Sequence, residues 1–128
     1  MKLNDNTMAK ERFFFDGVDC IGKTTQASNF NVYNKKLIKV SELKNTQYSH
    51  LSWMEFWTDV INEDKTANVF DRSPLSLLVY NDYSVDDIAH LFRRHDVIIL
   101  MEKKYIEYKI FSAAAPFLLT AIIIVVYQ

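Results

Sequence analysis

Arg12-Phe13-Phe14-Phe15-Asp16-Gly17-Val18-Asp19-Cys20-Ile21-Gly22-Lys23-Thr24-Thr25-Gln26 sets an apolar run against a glycine-bounded loop, with a helix-compatible segment after it. An apolar strand, a tight loop and a helix in that order open a parallel α/β unit. Gly17 to Thr24 matches G-x-x-x-x-G-K-[ST], and its two glycines are the only two in the chain. The spacing has a mechanical basis. The loop must curl its backbone N–H groups around an anion, and glycine permits the backbone turns and the close approach this needs. Lys23 supplies a point charge for the β- and γ-phosphates of a nucleotide, and the Thr24 hydroxyl is a ligand for Mg²⁺. The helix that begins here turns its positive end toward the same phosphates. Gly17, Asp19, Cys20, Ile21, Gly22, Lys23, Thr24 and Thr25 are therefore the expected nucleotide-binding residues.

Working outward, short apolar runs alternate with longer mixed segments. Strands are expected at Arg12–Asp16, Lys36–Val40, Ala67–Asp71, Val97–Met101 and Ile122–Val126. Helices are expected over Lys23–Asn34, His50–Asn62, Val85–Arg94 and Tyr105–Phe111. The pattern predicts an α/β fold with a parallel sheet. At 128 residues the chain makes one domain, with residues 1–11 as a flexible N-terminus lacking the apolar core of a secretion signal.

A second motif stands at Asn68-Val69-Phe70-Asp71-Arg72-Ser73-Pro74-Leu75-Ser76, a buried strand that delivers Asp71 and Arg72 at its carboxyl end. In an open parallel sheet those ends border the ligand crevice, so the two motifs should converge. Asp71 can hold Mg²⁺ or accept a proton, and Arg72 can fork onto a phosphate. Thr24 and Asp71 are thus the metal candidates, and Lys23, Asp71 and Arg72 the catalytic ones.

These two stretches resemble the thymidylate kinases. Asp16-Gly17-Val18-Asp19 followed by Gly22-Lys23-Thr24-Thr25-Gln26 is similar to that family's loop signature, and Asp71-Arg72 with Ser76 is similar to its D-R-x-x-x-S motif. The Asp-Arg-Ser opening also resembles that of the deoxynucleoside kinases. The resemblance implies a three-layer α/β/α P-loop NTPase-like domain with strand order 2-3-1-4-5. It implies ATP-dependent phosphoryl transfer, with ATP and Mg²⁺ as cofactors, to a deoxynucleoside monophosphate or a deoxynucleoside. Asp19 would face the acceptor sugar, Arg72 the acceptor phosphate or a neighbouring hydroxyl. Family members carry an arginine-bearing lid after the fourth strand, whereas no arginine follows Arg94 here and the cations of that region are Lys103, Lys104 and Lys109. The alternative is accordingly a nucleotide-binding remnant without a working lid.

Bulk properties bound the partners. Lys and Arg number 15 against 16 acidic residues, so there is no general nucleic-acid signal and phosphate recognition must be local. The expected partner is a small nucleotide or nucleoside acceptor, with homodimer formation left open. Cys20 is the only cysteine, which rules out an internal disulfide and fits a cytoplasmic protein. Residues 110–127 form an uncharged run of 18 residues interrupted by Pro116. It reads as a buried strand at Ile122–Val126, with a C-terminal membrane segment as the alternative. Trp53, Phe56 and Trp57 sit at near-helical spacing and read as core rather than as a base-stacking platform, and His50, His90 and His95 lack partners at metal-ligand spacing.

Overall fold

The computed structural model describes residues 11–17, 22–102, 110–111 and 121–126, the last two stretches and Glu102 as backbone. In chain order the elements are β1 (Phe13–Gly17), α1 (Lys23–Asn29), β2 (Leu37–Ile38), α2 (Val40–Thr46), α3 (Trp53–Glu63), β3 (Val69–Phe70), α4 (Ser76–Tyr80), α5 (Val85–Ile88), β4 (Val97–Glu102), β5 (Ile110–Phe111) and β6 (Ala121–Val126). A 3-10 turn, Ala89–Leu91, follows α5.

The strands form one sheet in the order β2-β3-β1-β4-β6-β5. Pairing is parallel from β2 across to β6, and β5 alone runs antiparallel, against β6. The expected order 2-3-1-4-5 is corrected by this extra strand. Ile110–Phe111, expected to end a helix, instead pairs with Ile123 and Ile122 and makes the outer edge. The remainder of that expected helix, residues 105–109, lies outside the described residues.

Alternation along β1 divides the interior in two. Phe14, Phe70 and Ile98 stand in register and pack on one face against Phe56, Trp57 and Val60 of α3 and against Leu77, Ile88 and Leu91. Phe15, Val69, Val97, Ile99 and Met101 pack on the other, against Ala27 of α1 and Phe30. Successive strand side chains point to opposite faces, so a strand apolar at both positions must be covered on both sides, as parallel strands are. The two covered faces are compatible with a three-layer α/β/α arrangement. The Phe14 and Phe70 rings stack at 4.5 Å, a contact worth about 0.5–1.5 kcal/mol beyond the area it buries.

Three elements depart from expectation for local reasons. The first helix stops at Asn29 rather than Asn34, because Phe30 turns extended to lay its ring against Phe13 and Phe15, and Lys35 Nζ closes the helix end on the carbonyls of Ala27 and Ser28. The second strand ends at Ile38, since the Val40 N–H goes to the Asp71 carboxylate and starts α2, a helix absent from the sequence reading. The helix from Val85 stops at Ile88 and passes into the 3-10 turn. Asp96 accepts the Arg93 N–H at 2.7 Å, which pulls the chain out of helix and toward β4. Of the apolar tail, Ala121–Val126 pairs with β4 along its whole length, and no helix among the described residues is long and apolar enough to cross a membrane.

Candidate functional site

Both glycines of the loop sit where the backbone demands them. Gly17 closes β1 with φ 132°, and Gly22 precedes α1 with φ 84°, a left-handed conformation costly for other residues. A Cβ at Gly22 would meet no atom within 4 Å, so the demand there is conformational rather than steric. Residues 18–21, and with them the expected nucleotide-binding residues Asp19, Cys20 and Ile21, lie outside the described residues.

Lys23, the first residue of α1, is 8% exposed, and its ammonium donates to the Gly17 carbonyl at 2.8 Å. The side chain thus folds back along the loop and sets its charge at the carboxyl end of β1. Thr24 follows, and its hydroxyl donates to Asp71 Oδ2 at 3.0 Å. Asp71 stands just past β3, the neighbour of β1 in the sheet, and is buried. Its second oxygen accepts the Val40 N–H at 2.7 Å. One carboxylate therefore ties α1, β3 and the start of α2 together. Around this junction Gly22, Lys23, Thr24, Thr25, Ser41, Asp71 and Arg72 line an open cleft of about 440 Å³.

The two motifs singled out in the sequence meet at this cleft, forty-seven positions apart at the Thr24–Asp71 bond. Ser76 does not join them. Its hydroxyl donates to the Ser73 carbonyl and its N–H does the same, so it closes the first turn of α4. Sequence reasoning missed three neighbours. Asp16 accepts the Gly17 N–H at 2.8 Å and the Ser73 hydroxyl, while Ser73, wholly buried, also accepts the Leu75 N–H at 3.1 Å. This cross-link fixes the end of β1 to the turn after β3. Ser41 lines the cleft from α2, an element no periodicity announced. The signal for the Asp16–Ser73 bond was present in principle, as an acid and a hydroxyl at the ends of two strands expected to be adjacent.

Metal binding can be tested on the donor set. Thr24 and Asp71 oxygens stand 3.0 Å apart. Two adjacent ligands of an octahedral Mg²⁺ at 2.0–2.1 Å are separated by about 2.9 Å, and hard oxygen donors completed by phosphate and water are what that ion takes. The Thr24 hydroxyl can offer a lone pair to the metal while its O–H still donates to Asp71. The pair fits Mg²⁺ in this limited sense. No cluster of three or more His, Cys, Asp or Glu residues able to hold a metal occurs among the described residues.

Other candidates fall elsewhere. Phe56 and Trp57 are fully buried, and Trp53 packs against the same cluster, so these rings are core. Arg93 and Arg94 lie just before β4, beside Arg12 and Asp96, at the end of the sheet away from the cleft. Burial, reinforced by the neighbouring Arg12 charge, lowers the Arg93 pKa. Compared with protein families, with curated proteins and with solved structures, the chain matches none.

Proposed function

We propose that this chain is a Mg-ATP-dependent phosphotransferase acting on a deoxynucleoside monophosphate or a deoxynucleoside, built as a P-loop domain. The observation that carries the reading is the Thr24–Asp71 hydrogen bond, which unites the glycine-bounded loop with the Asp-Arg motif in a single cleft. Lys23 and the loop amides hold the ATP phosphates. Thr24, with Asp71 behind it, holds Mg²⁺, which when bound neutralises charge on the transferring phosphoryl group. Arg72 steadies the acceptor. A bond forms between an acceptor oxygen and the γ-phosphorus as the bond from that phosphorus to the ADP oxygen breaks; a monophosphate acceptor attacks as the anion it already is, whereas a nucleoside hydroxyl gives up its proton to the Asp71 carboxylate. Such a transfer asks the protein for positioning and charge neutralisation more than for covalent chemistry. A cytoplasmic location goes with this reading.

The competing reading is a nucleotide-binding remnant. It is favoured by the absence of any arginine after Arg94, because lysines supply charge without the bidentate fork of a guanidinium. ADP release from Mg-ATP, followed with a panel of deoxynucleosides and their monophosphates, separates the two. Acceptor-dependent turnover that Lys23→Ala lowers by about a hundredfold or more supports the kinase. ATP binding that needs Lys23, without turnover on any acceptor, leaves the remnant.

A further inference from the structure

Three hydroxyl-bearing residues line the cleft, Thr24, Thr25 and Ser41. Thr24 is committed, since its hydroxyl donates to Asp71 at 3.0 Å. The hydroxyls just behind the cleft are committed as well, Ser73 to Asp16 and Ser76 to the Ser73 carbonyl. Ser41 differs. It is the second residue of α2, half-buried, and its hydroxyl has no hydrogen-bond partner among the described residues. Thr25 is similarly unengaged, but it belongs to α1, the element whose first residues, Lys23 and Thr24, take the donor in the reading above.

Sheet order sets Ser41 apart from the donor side. β3 lies between β2 and β1, so Asp71, just past β3, stands between α1, which follows β1, and α2, which follows β2. One Asp71 oxygen takes the Thr24 hydroxyl and the other takes the N–H of Val40, the residue directly before Ser41. The cleft therefore brings together a phosphate-loop lysine, a carboxylate and an unengaged primary alcohol. That alcohol is the same functional group as the primary hydroxyl of a nucleoside, and attack by either on a γ-phosphorus needs in-line approach and a base for the proton. We propose that Ser41 is a site of self-phosphorylation, its hydroxyl taking the γ-phosphoryl group of ATP bound in the same cleft when no small acceptor fills it. The bond from Ser41 Oγ to the γ-phosphorus forms as the bond from that phosphorus to the ADP oxygen breaks, and the hydroxyl proton passes to the Asp71 carboxylate. The inference rests on the phosphotransferase reading and goes beyond it. A phosphoserine carries about −1.5 to −2 charge at pH 7, so the product adds bulk and negative charge to the cleft and opposes entry of a second phosphate-bearing molecule. The modification thereby limits the protein's own turnover.

The test is incubation of the full chain with Mg-ATP labelled at the γ-phosphate and no added acceptor, followed by mapping of the phosphate by tandem mass spectrometry. Phosphate on Ser41 is expected, formed at a first-order rate that does not change with protein concentration. Ser41→Ala should abolish that label, and Lys23→Ala should slow it by about a hundredfold or more. Turnover on an acceptor added afterwards should fall in proportion to the fraction of Ser41 phosphorylated. Because the site is mapped in the parent protein, the result does not depend on how well either variant folds. Label on Thr25 or elsewhere instead of Ser41, or a rate that rises with protein concentration, overturns the inference. An unlabelled Ser41 in protein that turns over an added acceptor also overturns it and leaves the kinase reading intact. Label on Ser41 without turnover on any added acceptor upholds the inference and removes the small-molecule acceptor from the kinase reading. ATP binding with neither label nor turnover ends both.

Discussion

Asp71 accepts two hydrogen bonds of different kinds, one from a side chain that can rotate and one from a backbone N–H that cannot. The Val40 N–H opens α2 and has no alternative acceptor in β2, which has already ended. Asp71→Asn leaves one accepting oxygen, so the amide must face one donor with its own NH₂. A buried donor or acceptor left unmatched costs about 1–3 kcal/mol, and that loss is expected in urea unfolding of the variant. The same change should weaken binding of Mg-ATP more than of metal-free ATP, because Thr24 loses the acceptor that orients its hydroxyl. Equal losses in both titrations would separate Asp71 from the metal. Lys23 and Thr24 were legible as neighbours in a recognisable spacing. The bond from Thr24 to Asp71 was expected only as convergence at strand ends, and the second bond, to Val40, had no sequence signal.

Among the elements, α3 and α5 are bounded by the same device. Ser52 accepts the Glu55 N–H while Glu55 accepts the Ser52 N–H, and Ser84 with Asp87 repeats the exchange. The S-x-x-E spacing was in the sequence, yet the apolar pattern drew the helix start to His50, because periodicity reports which face is buried and not where the first turn closes. Ser52→Ala should cost about 1 kcal/mol of stability by chemical denaturation. Hydrogen bonds from the Ser52 backbone and side chain hold the Glu55 pKa below its ordinary value, and Ser84 does the same to Asp87. At Asp64, burial pushes the pKa up but is outweighed by Lys36 and Thr66, and the net shift is downward. A carboxylate whose folded pKa is depressed contributes stability above its unfolded value, near pH 4, and loses it as pH falls through the folded value. An unfolding titration should therefore show stability level above about pH 5 and falling below pH 4, with a shallower acid limb for Ser52→Ala. An unchanged acid limb in that variant would exclude the capping box as its source.

For the molecule as a unit, the two ends of the sheet do different work. At the carboxyl ends of β1 and β3 lies the cleft. At the amino ends, Arg12 and Asp96, each 1% exposed, form a buried pair that also engages the Leu91 carbonyl and the Arg93 N–H. It joins the segment before β1 to the segment before β4 and to the 3-10 turn. Removing one partner of a buried pair leaves the other charge uncompensated, which costs about 3–5 kcal/mol. Asp96→Asn is expected to lose stability of that order in urea while the folded fraction binds ATP with unaltered affinity. A loss of ATP affinity equal to the loss at Lys23→Ala would mean that the two ends are coupled.

Alternation of apolar runs with mixed segments was enough to specify a parallel α/β sheet, since strands apolar on both faces must be covered on both. The strand-loop-helix order that brings Gly17, Gly22, Lys23 and Thr24 together was legible because neighbours in the chain remain neighbours in the fold. The short strand at Ile110–Phe111 was not identifiable, because two residues have no periodicity and take their conformation from the strand they join. Neither were α2 and the place of Ser41 on the cleft wall, each of which depends on contacts across the sheet or between helices. Spacing along the chain encodes what neighbouring residues can do together. Which distant carboxylate takes a given N–H follows only once the strands have fixed their order.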